Sequence, residues 1–325
     1  MVKHKKIIIL LSFLMVGMGF SQSKVGTAGA NFLSVSLDPN ASAMGGAYVA
    51  VANDPLTVFW NIAGVANIKS EMSAGFSYVS YLAETNLGGF SIIKKLGLRG
   101  NLAIFVGGFN SGDIEGAEIS ESGIIYKDPF QYRSAQIGIG FARYFTDKFA
   151  SGVALKLLHE NVSGYASAYG VAIDVGTYFW TGFKSLRIAM SMQNIGPDMK
   201  FSGTYLQYLY QGNEVVTEER EHTAYPIPLN FRLGMAMEVI DDPVKRLTLS
   251  LESNHPNDYD QTLALGFEFS YMNMFFVRGG YNFMSDADAL GLGFGVNLKN
   301  FSLNYSFTDM QELTDVHRIS ISYVR

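Results

Sequence analysis

The chain contains no cysteine, which excludes a disulfide framework and any thiolate metal site. Charge is scarce too. The 24 Lys and Arg and 29 Asp and Glu make up only 16% of the 325 residues. Beyond residues 3–6 there is no basic cluster, so the clustered Lys and Arg that phosphate backbones demand are missing and no nucleic-acid partner is expected. After residue 21 no apolar run approaches the roughly 20 residues of a transmembrane helix. Catalytic signatures are absent as well: there is no Gly-x-Ser-x-Gly elbow and no His-Glu-x-x-His. No enzyme, no metal and no cofactor are expected.

What is present begins with an export signal. Lys3, Lys5 and Lys6 form a basic start, Ile7 to Val16 an apolar core, and Gly19-Phe20-Ser21 a small-residue cleavage site. Residues 1–21 are therefore expected to be removed, which moves the formal net charge from −5 to −8. Residues 22–70 show little alternation. Asp38-Pro39-Asn40 reads as a helix start with Asp38 or Asn40 as cap, Ala41 to Ala52 is rich in Ala and Gly, and Asn61-Ile62-Ala63-Gly64 reads as a turn or short helix end. A compact helical or irregular segment is expected there.

From residue 71 onward apolar and small or charged residues alternate with the period of two that marks strands with two different faces. Fourteen strands are predicted: 71–80, 85–96, 100–110, 130–144, 148–160, 166–181, 185–195, 228–240, 244–253, 260–271, 274–283, 288–299, 300–308 and 316–325. An even number of strands near ten residues or longer, in an exported chain with 34 Gly, 18 Tyr and 24 Phe, predicts a closed antiparallel transmembrane β-barrel. The connections agree. Long ones, 111–129 and 196–227, occupy one end, while Phe145-Thr146-Asp147, Asp241-Asp242-Pro243 and Lys299-Asn300 make tight turns at the other. Such asymmetry is that of outer loops and periplasmic turns.

Charges keep to one face. Leu247, Leu249 and Leu251 oppose Arg246, Thr248, Ser250 and Glu252; Phe231, Leu233, Met235 and Met237 oppose Arg232, Gly234, Ala236 and Glu238. Arg187, Asp174, Lys156, Glu268 and Arg278 likewise sit on the small face of their strands. A charge on the lipid face costs about 2–4 kcal/mol at the midplane, so this segregation assigns the greasy face to lipid. The candidate lumen-facing charges are Asp174, Arg187, Arg232, Glu238, Arg246, Glu252, Glu268 and Arg278, either pairing with one another or lining a polar path. The small residues between them suit a narrow or plugged lumen. Tyr144, Phe145, Phe179, Trp180, Phe183, Tyr271, Phe275, Phe276, Phe301 and Tyr323 are expected to form the periplasmic aromatic girdle. Gly291-Leu292-Gly293-Phe294-Gly295 lies in a strand and reads as lumen-facing glycine, not a nucleotide loop. His159 at a strand end is the only histidine placed to be weighed as catalytic, and Asp286 and Asp288 are weighed as a cation pair in an outer loop.

Three segments carry a resemblance: Gly29-Ala30-Asn31-Phe32-Leu33; Ser42-Ala43-Met44-Gly45-Gly46-Ala47-Tyr48-Val49-Ala50-Val51-Ala52-Asn53-Asp54; and Phe59-Trp60-Asn61-Ile62-Ala63-Gly64. Together with Gln193-Asn194-Ile195-Gly196-Pro197 and the final His317-Arg318-Ile319-Ser320, they resemble the PorV/PorQ family, outer-membrane proteins similar to FadL-type fatty-acid channels. Ile62 departs from the family, which usually has proline after the Trp-Asn pair. The resemblance implies a fourteen-stranded FadL-like barrel (71–325) with residues 22–70 folded into the lumen as a plug, whose signature residues would be Met44, Gly45, Gly46, Asp54, Trp60, Asn61 and Gly64. Characterised PorV-like members act in type IX secretion, binding the C-terminal signal of exported proteins and passing them to a surface-attachment complex.

Two functions follow as expectations. One is a non-enzymatic outer-membrane barrel of a Gram-negative bacterium serving protein secretion or surface attachment, with lipid around it and secreted cargo or attachment-complex proteins at its outer loops, where Tyr205-Leu206-Gln207-Tyr208-Leu209-Tyr210 supplies aromatic contact. The alternative is a FadL-like channel for a small hydrophobic ligand, with 41–52 as a movable plug. A soluble extracellular adhesin is a distant third.

Overall fold

The structure is a computed structural model that describes residues 26–120, 123–211, 214–284, 290–310 and 313–325. The export signal, Asp286 and Asp288 lie outside the described residues. Eighteen strands occur among the described residues: β1 Met72–Ser80, β2 Asn86–Lys95, β3 Asn101–Asn110, β4 Ile114–Ser120, β5 Gly123–Phe130, β6 Tyr132–Thr146, β7 Phe149–Val162, β8 Ala166–Trp180, β9 Arg187–Ile195, β10 Thr204–Gln211, β11 Glu214–Glu221, β12 Asn230–Asp241, β13 Lys245–Pro256, β14 Thr262–Tyr271, β15 Phe275–Phe283, β16 Leu290–Leu298, β17 Phe301–Asp309 and β18 Val316–Val324.

Fourteen of them close into an antiparallel barrel, and every one corresponds to a strand expected from alternation, within about two residues at most ends. Closure is made by β1 against β18, running from Ser73 opposite Val324 to Ser80 opposite His317. No edge is left, as a lipid-embedded sheet requires. The remaining four strands were not anticipated. The two long outer connections are not open loops but separate hairpins, β4–β5 and β10–β11, each a two-stranded sheet. Their sequences mix polar and apolar residues without the strict two-faced pattern, because neither face meets lipid or a lumen.

Alternation has the expected meaning. In β18, Arg318, Ser320 and Ser322 are buried while Ile319 and Ile321 are exposed on the outer face. One register break matters: a bulge between Glu238 and Ile240 shifts β12 against β13 at the end near the short turns. The aromatic girdle holds for Phe145, Phe179, Phe183, Tyr271, Phe275 and Phe301, all exposed. Tyr144, Phe276 and Trp180 are corrections. Tyr144 shares the inward parity of Ala142, lines the inner end of the lumen and donates to Asn67 of the plug. Phe276 follows Phe275 by one residue and therefore points inward, where it is buried; Trp180 packs against the plug core.

Residues 26–71 fill the lumen with short helical turns. Asp38 caps the helix Pro39–Ala43, its Oδ1 accepting from Asn40 N at 2.8 Å, which settles the choice between Asp38 and Asn40. Asp54 caps the 3₁₀ turn Pro55–Phe59 and Asn61 caps Ile62–Asn67. The Asn61–Gly64 stretch is thus a helix start, not an end, because Asn61 Oδ1 accepts from Ala63 N at 3.0 Å. Ile62 occupies the first helical position, where the family's proline would also fit, and buries its side chain instead. The Pro39–Ala43 helix packs on β15 to β18 and Ile62–Asn67 on β6 to β8, so the segment crosses the barrel interior from wall to wall.

Candidate functional site: a plug tied to the barrel wall, between two cavities

Small residues on the lumen face let the plug backbone touch the sheet. A Cβ on Gly280 would come within 2.0 Å of the Met44 carbonyl carbon, and one on Gly291 within 2.1 Å of the Ser42 carbonyl oxygen. Met44 is fully buried at this contact. Gly45 and Gly46 follow with φ of +62° and +90°, a left-handed turn that non-glycine residues resist.

Four buried ion pairs ring the plug among the described residues. Lys156 Nζ lies 2.8 Å from Asp174, which also accepts from Asn194 N at 2.8 Å. Arg187 meets Glu238 at 2.7 Å and donates through Nε to Ala50 O, at 2.7 Å, in the plug. Arg278 meets Glu268 at 2.7 Å and reaches Asn304. The fourth pair is looser: Arg232 Nε stands 3.6 Å from Glu252 Oε1, too long for a hydrogen bond. Glu252 Oε2 instead accepts from the backbone N–H of Tyr48 (2.8 Å) and Val49 (2.6 Å), with Trp60 Nε1 at 3.5 Å. The Arg232 guanidinium rests 4.1 Å above the Trp60 ring. Buried pairs such as these hardly add net stability, but removing one partner strands the other.

The eight charges expected in the lumen are therefore seven in pairs and one apart. Arg246 is half-buried at the periplasmic end and makes no ion pair or hydrogen bond among the described residues. The sequence candidates omitted Lys156, the partner of Asp174, and Glu160, although both share the buried parity of β7. They also omitted Asp38 and Tyr48 of the plug, which no periodicity marks.

Within the plug Asp54 is a hub. Its carboxylate accepts from Asn40 Nδ2 (2.7 Å), Tyr48 Oη (2.6 Å) and Leu56 N (2.7 Å). Asn61 donates to Val49 O at 3.1 Å, and Gly64 passes against Thr57 and Ala52 where a Cβ would clash. Burial, reinforced by the nearby Asp54 carboxylate, pushes the Asp38 carboxyl and the Tyr48 hydroxyl well above their ordinary ranges.

The plug separates two cavities. The outer one, about 940 Å³, is lined by Phe32, Tyr81, Phe109, Tyr132, Phe201 and Tyr225 with Glu160 among them. The inner one, about 710 Å³, opens toward the short turns between Lys69, Lys95, Arg143 and Arg246. His159 points to the outer wall of the barrel and stacks on Tyr169 at 4.6 Å, away from both cavities. No group of three or more metal-ligating side chains occurs among the described residues.

The family model described as Type IX secretion system protein PorV matches residues 19–256. The chain belongs to the PorV family. It is accordingly a type IX secretion-associated outer-membrane β-barrel. No curated protein matches it. Among solved structures it is similar to the CymD monoaromatic hydrocarbon channel, at 15% identity and a TM-score of 0.60 over 90% of this chain and 98% of that one. It is also similar to the Pseudomonas putida toluene transporter TodX, at 12% identity and a TM-score of 0.60 over 88% and 96%. Those identities speak for the fold alone, so this PorV-family chain shares a FadL-like barrel with hydrocarbon channels.

Proposed function

We propose that this PorV-family barrel, exported across the inner membrane of a Gram-negative bacterium by residues 1–21, receives secreted proteins at the outer membrane and passes them to a surface-attachment complex. The supporting observation is the pair of hairpins at its outer rim. Each is a free two-stranded sheet with open edges, and they expose Ile124, Ile125 and Tyr126 on one and Tyr205 and Leu206 on the other. Open edges invite a partner strand, and exposed aromatic and branched residues add the apolar contact that fixes it. In this reading the ion pairs of Asp174, Arg187, Arg232, Glu238, Glu252, Glu268 and Arg278 hold the plug and carry no traffic. The signature residues Met44 to Asp54 and Trp60 to Gly64 keep the lumen closed. Deletion of 204–221, which leaves the fourteen barrel strands intact, tests the reading. Exported proteins should accumulate in the periplasm, and an unchanged surface and secreted proteome would sink it.

A second reading has its own observation. The aromatic outer cavity is large enough for a small hydrophobic molecule, as in a channel that moves such molecules past a displaced plug. Uptake of aromatic hydrocarbons and fatty acids by cells with and without the gene checks it, and equal uptake removes it.

A further inference from the structure

The outer cavity contains a feature that neither a hydrophobic channel nor a cargo receptor explains. Glu160 is only 2% exposed, yet its carboxylate makes no ion pair among the described residues. Tyr132 donates to one oxygen, and Tyr225 donates to the other at 2.6 Å. Each of these tyrosines is half of an aromatic pair: Phe109 with Tyr132 at 5.8 Å and Phe201 with Tyr225 at 5.6 Å between ring centroids. Tyr132 belongs to β6 and Tyr225 to the segment after the β10–β11 hairpin, so the carboxylate clamps a barrel strand to an outer connection.

Both arginines of this cavity, and Glu252, are already occupied. Arg232 faces Glu252, Glu252 binds the plug amides, and Arg318 donates to Ser36 O (3.0 Å) and Thr308 Oγ1 (2.8 Å). Asp258 and Asp260 at the rim add further negative charge. A carboxylate offers about four lone-pair sites and the two phenols use two. A buried carboxylate with acceptor capacity left and π faces on both sides is the chemistry that recognises an ammonium group, by charge-assisted hydrogen bonding and cation–π attraction.

We propose that the outer cavity is a binding site for an amphiphilic cation, an ammonium group carried on an apolar body, with Glu160 as the anion and the Phe109–Tyr132 and Phe201–Tyr225 pairs as its walls. The proposal rests on the second reading only in using the same cavity.

The test uses the full chain in neutral maltoside detergent, titrated at pH 7 with benzylammonium, benzyl alcohol and benzoate by calorimetry. The ammonium should bind at least about tenfold tighter than benzyl alcohol, the size of one charge-assisted contact, and benzoate should not bind. Glu160→Gln keeps one phenol donating to its amide oxygen, lets the other phenol turn to accept from its amide nitrogen, and should lose that tenfold preference while leaving benzyl alcohol unchanged. Equal binding of ammonium and benzyl alcohol by the parent protein overturns the inference but leaves the hydrophobic channel standing. Ammonium binding that depends on Glu160 without any benzyl alcohol binding does the reverse. Because the comparison among the three probes is made on the parent protein, a variant that fails to assemble does not protect the proposal. An E160Q protein that assembles and still prefers the ammonium overturns it too.

Discussion

Glu252 on the barrel wall and Val49 in the plug are 203 positions apart in sequence, and the carboxylate of the first accepts the backbone N–H of the second at 2.6 Å. The adjacent Tyr48 N–H joins it at 2.8 Å. Two successive amides aimed at one carboxylate form an anion-binding nest, and here the anion is supplied by the barrel itself. Arg232, beside Glu252, keeps the second oxygen company without bonding it. This is the point at which the wall grips the peptide backbone of the plug, not merely its side chains.

Glu252→Ala should release that grip. It leaves Arg232 buried without its carboxylate, against only Gln193 and the Trp60 ring, and two plug amides without acceptors, a loss of about 3–5 kcal/mol where a buried pair is broken. Glu252→Gln retains an acceptor oxygen and should cost less. Hydrogen exchange at the amides of 48 and 49 measures the difference: protection should fall sharply in E252A and modestly in E252Q, with barrel amides unaffected in both.

Gly280 makes the complementary steric point. A Cβ there would sit 2.0 Å from the Met44 carbonyl carbon, and that neighbour is backbone that cannot swing aside. Gly280→Ala should therefore unseat the Pro39–Gly46 region while the sheet still closes. Single-channel conductance in a planar bilayer should rise well above that of the parent. Gly88→Ala, whose Cβ would meet only Ser77 O at 3.5 Å, is the control and should conduct like the parent. Equal conductance of G280A and G88A would show that the plug is not held by this contact.

Asp38 gives the plug a pH dependence. Burial, with Asp54 adding to it, raises its pKa well above 3.8. The folded plug therefore holds this proton over a pH range in which the released segment has lost it. Its contribution to plug stability is full below about 3.8 and is lost as pH rises through the raised folded value. Asp38→Asn keeps a good N-cap and removes the titration. Plug protection in D38N, measured by hydrogen exchange, should equal the parent's in acid and exceed it as pH rises toward neutral. A constant difference across the range would refute the assignment.

How much of this was legible in sequence depends on what enforces each feature. The fourteen barrel strands were readable because lipid and lumen impose opposite demands on successive residues, as Ile319 and Ser320 show. The hairpins were not, since β4–β5 and β10–β11 meet neither environment and carry no period. Seven of the eight lumen charges pair, yet only parity was visible. Which partner each took depends on register: Glu268 lies directly opposite Arg278, but Arg187 and Glu238 meet across a strand pair ending at Ala236. Phe276 was misassigned because its position near a turn outweighed its parity, and parity governs. Asp38 was read only as a helix cap and Tyr48 only as part of the resemblance, and Glu160 was not singled out, because a hub of hydrogen bonds in an irregular segment, or a lone acid at a strand end, has no repeating signature.

The assignment of lipid and lumen faces is itself testable at neighbouring positions of β14. Leu265 is exposed on the outer face and Ala264 is buried on the inner one. Leu265→Arg places a guanidinium in hydrocarbon, at about 2–4 kcal/mol if the site lies near the midplane. Phe267→Arg, on the same face, should behave alike, whereas Leu98→Arg, in the turn between β2 and β3, should be neutral. The readout is the denaturant midpoint for loss of the heat-modifiable folded band after refolding into lipid vesicles. L265R and F267R should both fall well below the parent, and a parent-like midpoint for either would mean that this face does not meet lipid.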